Sequence, residues 1–325
     1  MAAPLFPKRV DLDKASINQL LQLFSDSSQD LQGYLLTLNG QTISRSNVAQ
    51  VRSQIQARIQ TLGVAVGAWV STTIPQQYAQ GQYDAARQQD HFGEKAAAAV
   101  IIAGIANMSA VTARNSAFEA KNGLGFIPGE IISPKQEMFD LHRQSIQAIS
   151  DSMSKSFGTS LTSMARSADK TVSSVQALGI RAEIARQADA GTNTQAISKK
   201  IADLIRDNDI AALEDASGRM WSPENYADML VKTKLTEARN NGMMDALTSV
   251  GQDLVEVSSH GATDACDQWE GEILSIAGDS ELYPSVSDAT DSGLFHPRCQ
   301  HSLNAVDPTF YPNSMVSSEV TVAEE

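Results

Sequence analysis

Cysteine and histidine gather near the end of this chain. In GLFHPRCQH, residues 293–301, His296 and His301 flank Cys299, while His260 and Cys266 stand earlier, on either side of the turn GATDA. Cys and His are the preferred zinc ligands, and a structural zinc takes four of them in a tetrahedron. Cys299 and His301 are two residues apart, so an extended segment points both side chains the same way, and Pro297 favours extension at His296. His260 with Cys266 makes a second pair on a separate segment. His260, Cys266, Cys299 and His301 therefore form a workable set for a structural zinc that closes a long loop, with His296 competing with His260 for the fourth place. Neither pair has CxxC spacing, which leaves two alternatives open: a polar cluster without metal, and a catalytic site.

A zinc deaminase needs an HxE element and PCxxC, but here Gly261 and Ala262 follow His260, and PRCQH lacks a second cysteine. A cysteine nucleophile with a histidine base, Cys266 or Cys299 with His296 or His301, is the other enzymatic reading. No strand-to-helix nucleophile turn precedes either cysteine. Lys234, Glu237 and Arg239 fall together on one helix, where a solvated face is the expected reading. Trp269, Tyr283 and Phe295 are expected in the core of a small module, because large aromatics dominate small cores.

These residues need elements to position them. WSPENYADML predicts a helix capped by Ser222 with Pro223 in its first position, running to about Val250 and stopping at Gly251. A short strand, DLVEVSS, should follow with Leu254, Val255 and Val257 buried. From Gly261 onward, Gly, Asp, Ser and Pro with isolated aromatics predict short strands and turns. Upstream, Val48, Val51, Ile55, Ile59, Leu62, Val66 and Trp69 step by three and four, which predicts one face of a helix. Pro75 is expected to open a new helix, continuing through the alanine-rich stretch to about Lys121. Another long helix is expected from near Pro134, with Ile146, Ile149, Met153, Phe157, Leu161, Met164, Val172 and Val175 on its apolar seam. Gly191 is expected to end the next helix, with Thr192 or Thr194 capping another.

The fold expected is thus a mainly α N-terminal region of long amphipathic helices (1–215), a small α+β C-terminal module (216–310) and a flexible acidic tail (311–325). With 42% hydrophobic and 19% charged residues the chain can bury a core. Its net charge of −13 opposes spreading over nucleic acid, and no basic run offers a DNA-binding arm. Two cysteines do not make a disulfide scaffold. The N-terminus lacks a signal-peptide pattern, and the longest apolar stretch, AAAAVIIAGIA, is short of the roughly 18 residues that span a bilayer. A protein made in a cytoplasm, without a membrane segment, is the expectation.

TKLTEARNNG, VSSHGATDACDQWEGEILSIAG and YPSVSDATDSGLFHPRCQHSL together resemble the C-terminal signature of tailed-phage minor capsid proteins related to Mu F-like head morphogenesis proteins. The resemblance covers Met220 to Leu303. It rests on Thr236 and Glu237, on Trp269 with Gly271, on Ser275 with Gly278, on Tyr283 with Pro284, and on Pro297, Cys299 and His301. Gln300 stands where the family usually carries a basic residue. The resemblance implies a low-copy structural protein of the virion, made in the host bacterial cytoplasm and associated with the portal and the capsid interior near packaged DNA. It further implies oligomeric assembly with portal and other capsid proteins, a part in head morphogenesis, and possible involvement in DNA delivery. The rival reading is a zinc- or cysteine-dependent enzyme carried in the virion.

Overall fold

A computed structural model of the chain describes residues 12–37, 47–115, 136–187, 199–200, 213–214, 220–307 and 309. In chain order these form helices α1 (Leu12–Thr37), α2 (Val48–His91), α3 (Lys95–Asn115) and α4 (Gln136–Gln187), then the short antiparallel pair β1 (Leu213–Glu214) and β2 (Met220–Trp221). After them come helix α5 (Pro223–Ser249), strand β3 (Leu254–Val257), a 3₁₀ turn (Asp267–Trp269), strand β4 (Ile273–Ser275), helix α6 (Val286–Asp291) and strand β5 (Leu303–Ala305). The expected architecture, long helices followed by a small α+β module, is the one observed. The expected caps at Thr192 or Thr194, the helix stop at Gly191 and the acidic tail lie outside the described residues.

Contacts divide the chain into two compact units. One contains Lys14–Ser71 and Ser152–Val231. Its core is built by α1, α2 and α4, where Leu31, Leu35, Val51, Ile55, Ala168, Val172 and Val175 pack together. Phe24 and Phe157 meet with ring centroids 5.6 Å apart, and the indole Nε1 of Trp69 donates to the Ser16 carbonyl at 2.9 Å. The apolar stripes at three-and-four spacing are the buried faces, as the periodicity requires.

The other unit contains Thr72–Asp151 and the chain from Lys232 onward. Its core joins Ala85 and Ala86 of α2, Ile101 and Ile105 of α3, and Met243, Ala246 and Leu247 of α5 to the sheet residues Val255, Val257, Leu274, Leu303 and Ala305. The sheet is antiparallel with order β4-β3-β5; Val255 faces Leu274 on one side and Ala305 on the other. Leu254 and Val255 are both buried, so β3 is covered on both faces. Two helices hold β5 by side chain: Asn240 Oδ1 accepts the Leu303 amide at 3.1 Å, and Gln88 Oε1 accepts the Ala305 amide at 2.6 Å.

Local signals set the ends of α5. Ser222 Oγ accepts the Asn225 amide at 3.2 Å, with Pro223 first in the helix. Gly251, at φ +77°, turns the chain left-handed, while the Gly251 and Gln252 amides bond back to Thr248 and Leu247. The same device ends α2, where Gly93 (φ +89°) donates to Asp90 and Glu94 donates to Gln89. The helix break therefore falls at Gly93, and α2 runs through Pro75, against the expectation that Pro75 opens a new helix. Proline costs a helix interior about 3 kcal/mol. The fully buried Ile74 and Tyr78 on either side of it offset that cost through tertiary packing.

α2 and α5 cross at two glycines. A Cβ on Gly81 would lie 1.9 Å from the Arg239 carbonyl oxygen, and one on Gly242 would lie 2.0 Å from that of Tyr78. Polar groups flank the crossing. Arg239 Nε donates to Asp84 at 2.8 Å, so Arg239 serves helix docking and not the solvated face expected of it. Tyr78, fully buried, donates to Asp245 at 2.5 Å, and Ser145 donates to the same oxygen at 2.7 Å.

Candidate functional site

The loop after β3 is folded around a carboxylate. Glu270 follows the 3₁₀ turn and accepts the backbone amides of His260 at 2.8 Å, Gly261 at 3.1 Å and Ala262 at 2.9 Å. Gly261 sits at φ +78°, a left-handed position that suits glycine. The amides of His260 and Ala262 foremost, with lesser help from His301 and Gly261, hold the Glu270 carboxyl down at about 2 against some desolvation. Asp264 Oδ1 accepts the Cys266 amide at 3.0 Å and so aims that cysteine inward.

The second segment leaves α6 through Gly293 (φ +107°) and turns again over residues 296–299. There the Cys299 amide donates to the His296 carbonyl at 2.9 Å. Pro297 occupies the second position of this turn and Arg298 the third, with φ +69°, as in a type II turn where glycine is usual. Phe295 also sits at φ +61°. Such positions cost about 1–3 kcal/mol each and persist where surrounding contacts hold them. One such contact is Thr233 Oγ1 of α5, which accepts the Arg298 amide at 3.2 Å.

The two segments bring all five predicted residues into one chain of contacts. Cys266 Sγ lies 3.7 Å from Cys299 Sγ, Cys299 Sγ lies 3.2 Å from His301 Nδ1, and His301 Nε2 lies 3.1 Å from Glu270 Oε1. The His260 ring lies against that of His301, centroids 4.2 Å apart. His296 Nε2 is 3.0 Å from Asp264 Oδ2. Within this chain the ligand atoms fall into two trios, each within 4.8 Å of one another: Cys266, His296 and Cys299, and His260, Glu270 and His301. His260 thus stands with His301 and Glu270, apart from Cys266, while His296 stands with the thiols. Cys266, Cys299 and His301 are buried.

The remaining signature residues support this geometry. Trp269 and Phe295 pack against the unit's main core, and Tyr283 packs against Leu254 and Val306. Gly271 and Gly278 both lie at φ +76°. The Gly278 amide donates to Ser275 Oγ at 2.8 Å, and the Pro284 carbonyl accepts the Ser275 amide at 2.9 Å. Glu237 pairs with Lys234 at 2.7 Å. It also borders a cavity of about 230 Å³ that Thr233, Asn240, His296 and Cys299 help to line.

Glu270 is the residue that sequence reasoning missed. Its role depends on three amides converging in a turn, and the available signal was its position between the two signature residues Trp269 and Gly271.

Burial foremost, then the hydrogen bond with Cys299, pushes the Cys266 thiol up to about 12. The thiolate is the reactive form, so Cys266 in the folded, metal-free chain should resist iodoacetamide at pH 8 and label promptly in urea. Peptide mass spectrometry reads both conditions; equal labelling in the two would contradict the burial of this thiol.

The chain thus combines long helices with a small antiparallel module in which buried thiols and imidazoles stand in contact. The family model described as phage minor capsid protein 2 matches residues 102–314, more than half of the chain. The chain belongs to this family, and so is a structural protein of a phage capsid that assembles with other capsid components. No curated protein and no solved structure matches it. The family match begins within α3 and takes in α4, well upstream of the signature legible from Met220 onward. No helix among the described residues is long and apolar enough to cross a membrane.

Proposed function

We propose that the chain is a low-copy component of the head, seated at the portal and capsid interior, where it serves head morphogenesis and DNA delivery without enzymatic activity. The observation that carries this reading is the capsid-family match across both helices and module. The charge of −13 supports it, because an acidic protein beside packed DNA is repelled by the phosphates and remains available to protein partners. Quantitative mass spectrometry of purified virions tests the reading. Peptides at a few copies per particle, retained when the tail is removed and co-purifying with the portal, are expected. Absence from virions would defeat it.

A second reading, a cysteine-dependent enzyme, is favoured by the Cys299–His301–Glu270 relay beside the cavity, since a nucleophile, a base and an orienting acid stand in hydrogen-bond sequence. Against it, the Cys299 amide is committed to the His296 carbonyl and cannot stabilise an oxyanion. A covalent adduct on Cys299 of the folded chain with an electrophilic probe would favour the enzyme over the structural part.

A further inference from the structure

We propose that this chain binds one zinc ion in a closed Cys2His2 site made by Cys266, Cys299, His296 and His301, with Glu270 as the carboxylate behind His301 and His260 outside the ligand set. With Zn–S of about 2.3 Å and Zn–N of about 2.0–2.1 Å, a tetrahedron has S–S edges of about 3.8 Å and S–N edges of about 3.5 Å. The two thiols are already separated by 3.7 Å, and Cys299 Sγ is 3.2 Å from His301 Nδ1. A ring nitrogen of His296 shares the 4.8 Å neighbourhood of both sulfurs. His301 enters from the Cys299 side.

The surroundings match a metal site in a second respect. A ligating histidine nearly always gives its other ring N–H to a carboxylate or carbonyl, which fixes its tautomer and orientation. His301 has this arrangement: Nδ1 faces the thiol, Nε2 faces Glu270, and Glu270 is fixed by three backbone amides. In His296, Nδ1 lies 2.9 Å from the Pro297 carbonyl and Nε2 3.0 Å from Asp264, so binding the ion through one nitrogen exchanges that contact and leaves the other nitrogen its partner. His260 has no such geometry. Its Nδ1 is 3.7 Å from the Glu270 oxygen that His301 also approaches, and it groups with those two residues and not with the thiols.

Zinc is the ion this donor set selects, because two soft thiolates and two imidazoles in a tetrahedron suit a d¹⁰ cation. On binding, each thiol releases its proton to solvent, and the two thiolates offset the 2+ charge, leaving a neutral centre. The ion would join the segment at Cys266 to that at Cys299, 33 residues apart in sequence, and hold the strained turn at Arg298.

The site stands independently of the placement at the portal, and it is tested on the purified full-length chain by metal analysis with single substitutions. One zinc per chain is expected in the wild type and in His260→Ala, with at least tenfold weaker retention against a chelator in His296→Ala, His301→Ala and Cys299→Ser. Zinc kept by His296→Ala and lost by His260→Ala would overturn the ligand set. Because a variant can fail to fold, the wild type alone supplies a second measurement: replacement by Co²⁺ should give the thiolate charge-transfer and tetrahedral d–d bands of an S₂N₂ site. A folded wild-type chain with neither zinc nor those bands, or with a Cys266–Cys299 disulfide in place of the metal, would overturn the proposal.

Discussion

Gly242→Ala is expected to destabilise the chain by about 3 kcal/mol or more, at or above the upper end of overpacking costs. In an ordinary helix the same change stabilises by up to about 1 kcal/mol, since alanine is the better helix former. The sign here is set by the obstacle. The new Cβ would meet the Tyr78 carbonyl oxygen at 2.0 Å, and that atom is backbone, with no rotamer by which to withdraw. Relief requires α2 and α5 to part. Separation strains the Tyr78–Asp245 and Arg239–Asp84 contacts beside the crossing, and it moves the helix that holds β5 through Asn240 and the Arg298 turn through Thr233. Gly81→Ala should behave alike, with its Cβ 1.9 Å from the Arg239 oxygen. Gly158→Ala is the control: nothing lies within 4 Å of its added carbon, so it should stabilise slightly. Urea unfolding followed by circular dichroism reads all three. If Gly242→Ala unfolds at the wild-type urea concentration, the helices do not cross at these glycines.

The glycine crossing also shows where sequence reading stops. A glycine that ends a helix announces itself, as Gly251 does, because the hydrogen bonds it completes lie within six residues of chain. Ser222 and Pro223 are equally local, and so is the period-two pairing of Cys299 with His301. Gly242 carries no such signal; its partner is 164 positions away in sequence, at Tyr78. Pro75 misleads for the related reason that tertiary burial of Ile74 and Tyr78 outweighs a local penalty. The Gly93 turn was hidden by the alanine-rich continuity on its far side. In α1, Leu20, Phe24, Leu31 and Leu35 are all buried at helical spacing, a pattern that was present but not read.

The candidate site divides along the same line. Which residues gather was legible from their types and clustering near the C-terminus. How they divide was not. The turn at residues 296–299 carries a left-handed arginine, a choice that composition would not suggest, and it is this turn that brings His296 toward Cys266. Glu270 is recruited by amides that converge only once Gly261 has turned left-handed. Backbone conformation away from the standard regions thus decides the site, and side-chain identity alone underdetermines it.

The second large effect is expected at Asp245, where Asp245→Ala should cost about 2–3 kcal/mol. Asp245 accepts from Tyr78 at 2.5 Å and from Ser145 at 2.7 Å. Tyr78 is 0% exposed, so without Asp245 its hydroxyl loses its acceptor in a place that solvent does not reach. A buried donor left unpaired costs about 1–3 kcal/mol, and bonds to a charged acceptor stand at the upper end of the range. Burial, followed by the Asp245 charge, raises the Tyr78 pKa, so the phenol stays protonated and donates throughout the working range. His142, edge-on to Tyr78 with centroids 5.7 Å apart, is lowered by burial and partly supported by Asp245. Asp245→Asn keeps an acceptor oxygen for Tyr78 and should recover more than half of the loss. Tyr78→Phe removes the donor and leaves Asp245 with Ser145 and solvent. The double variant Tyr78→Phe/Asp245→Ala should therefore cost less than the sum of the two single changes, by at least about 0.5 kcal/mol. Denaturant unfolding of the four chains completes the cycle, and strict additivity would mean that the Tyr78–Asp245 bond does not couple α2 to α5.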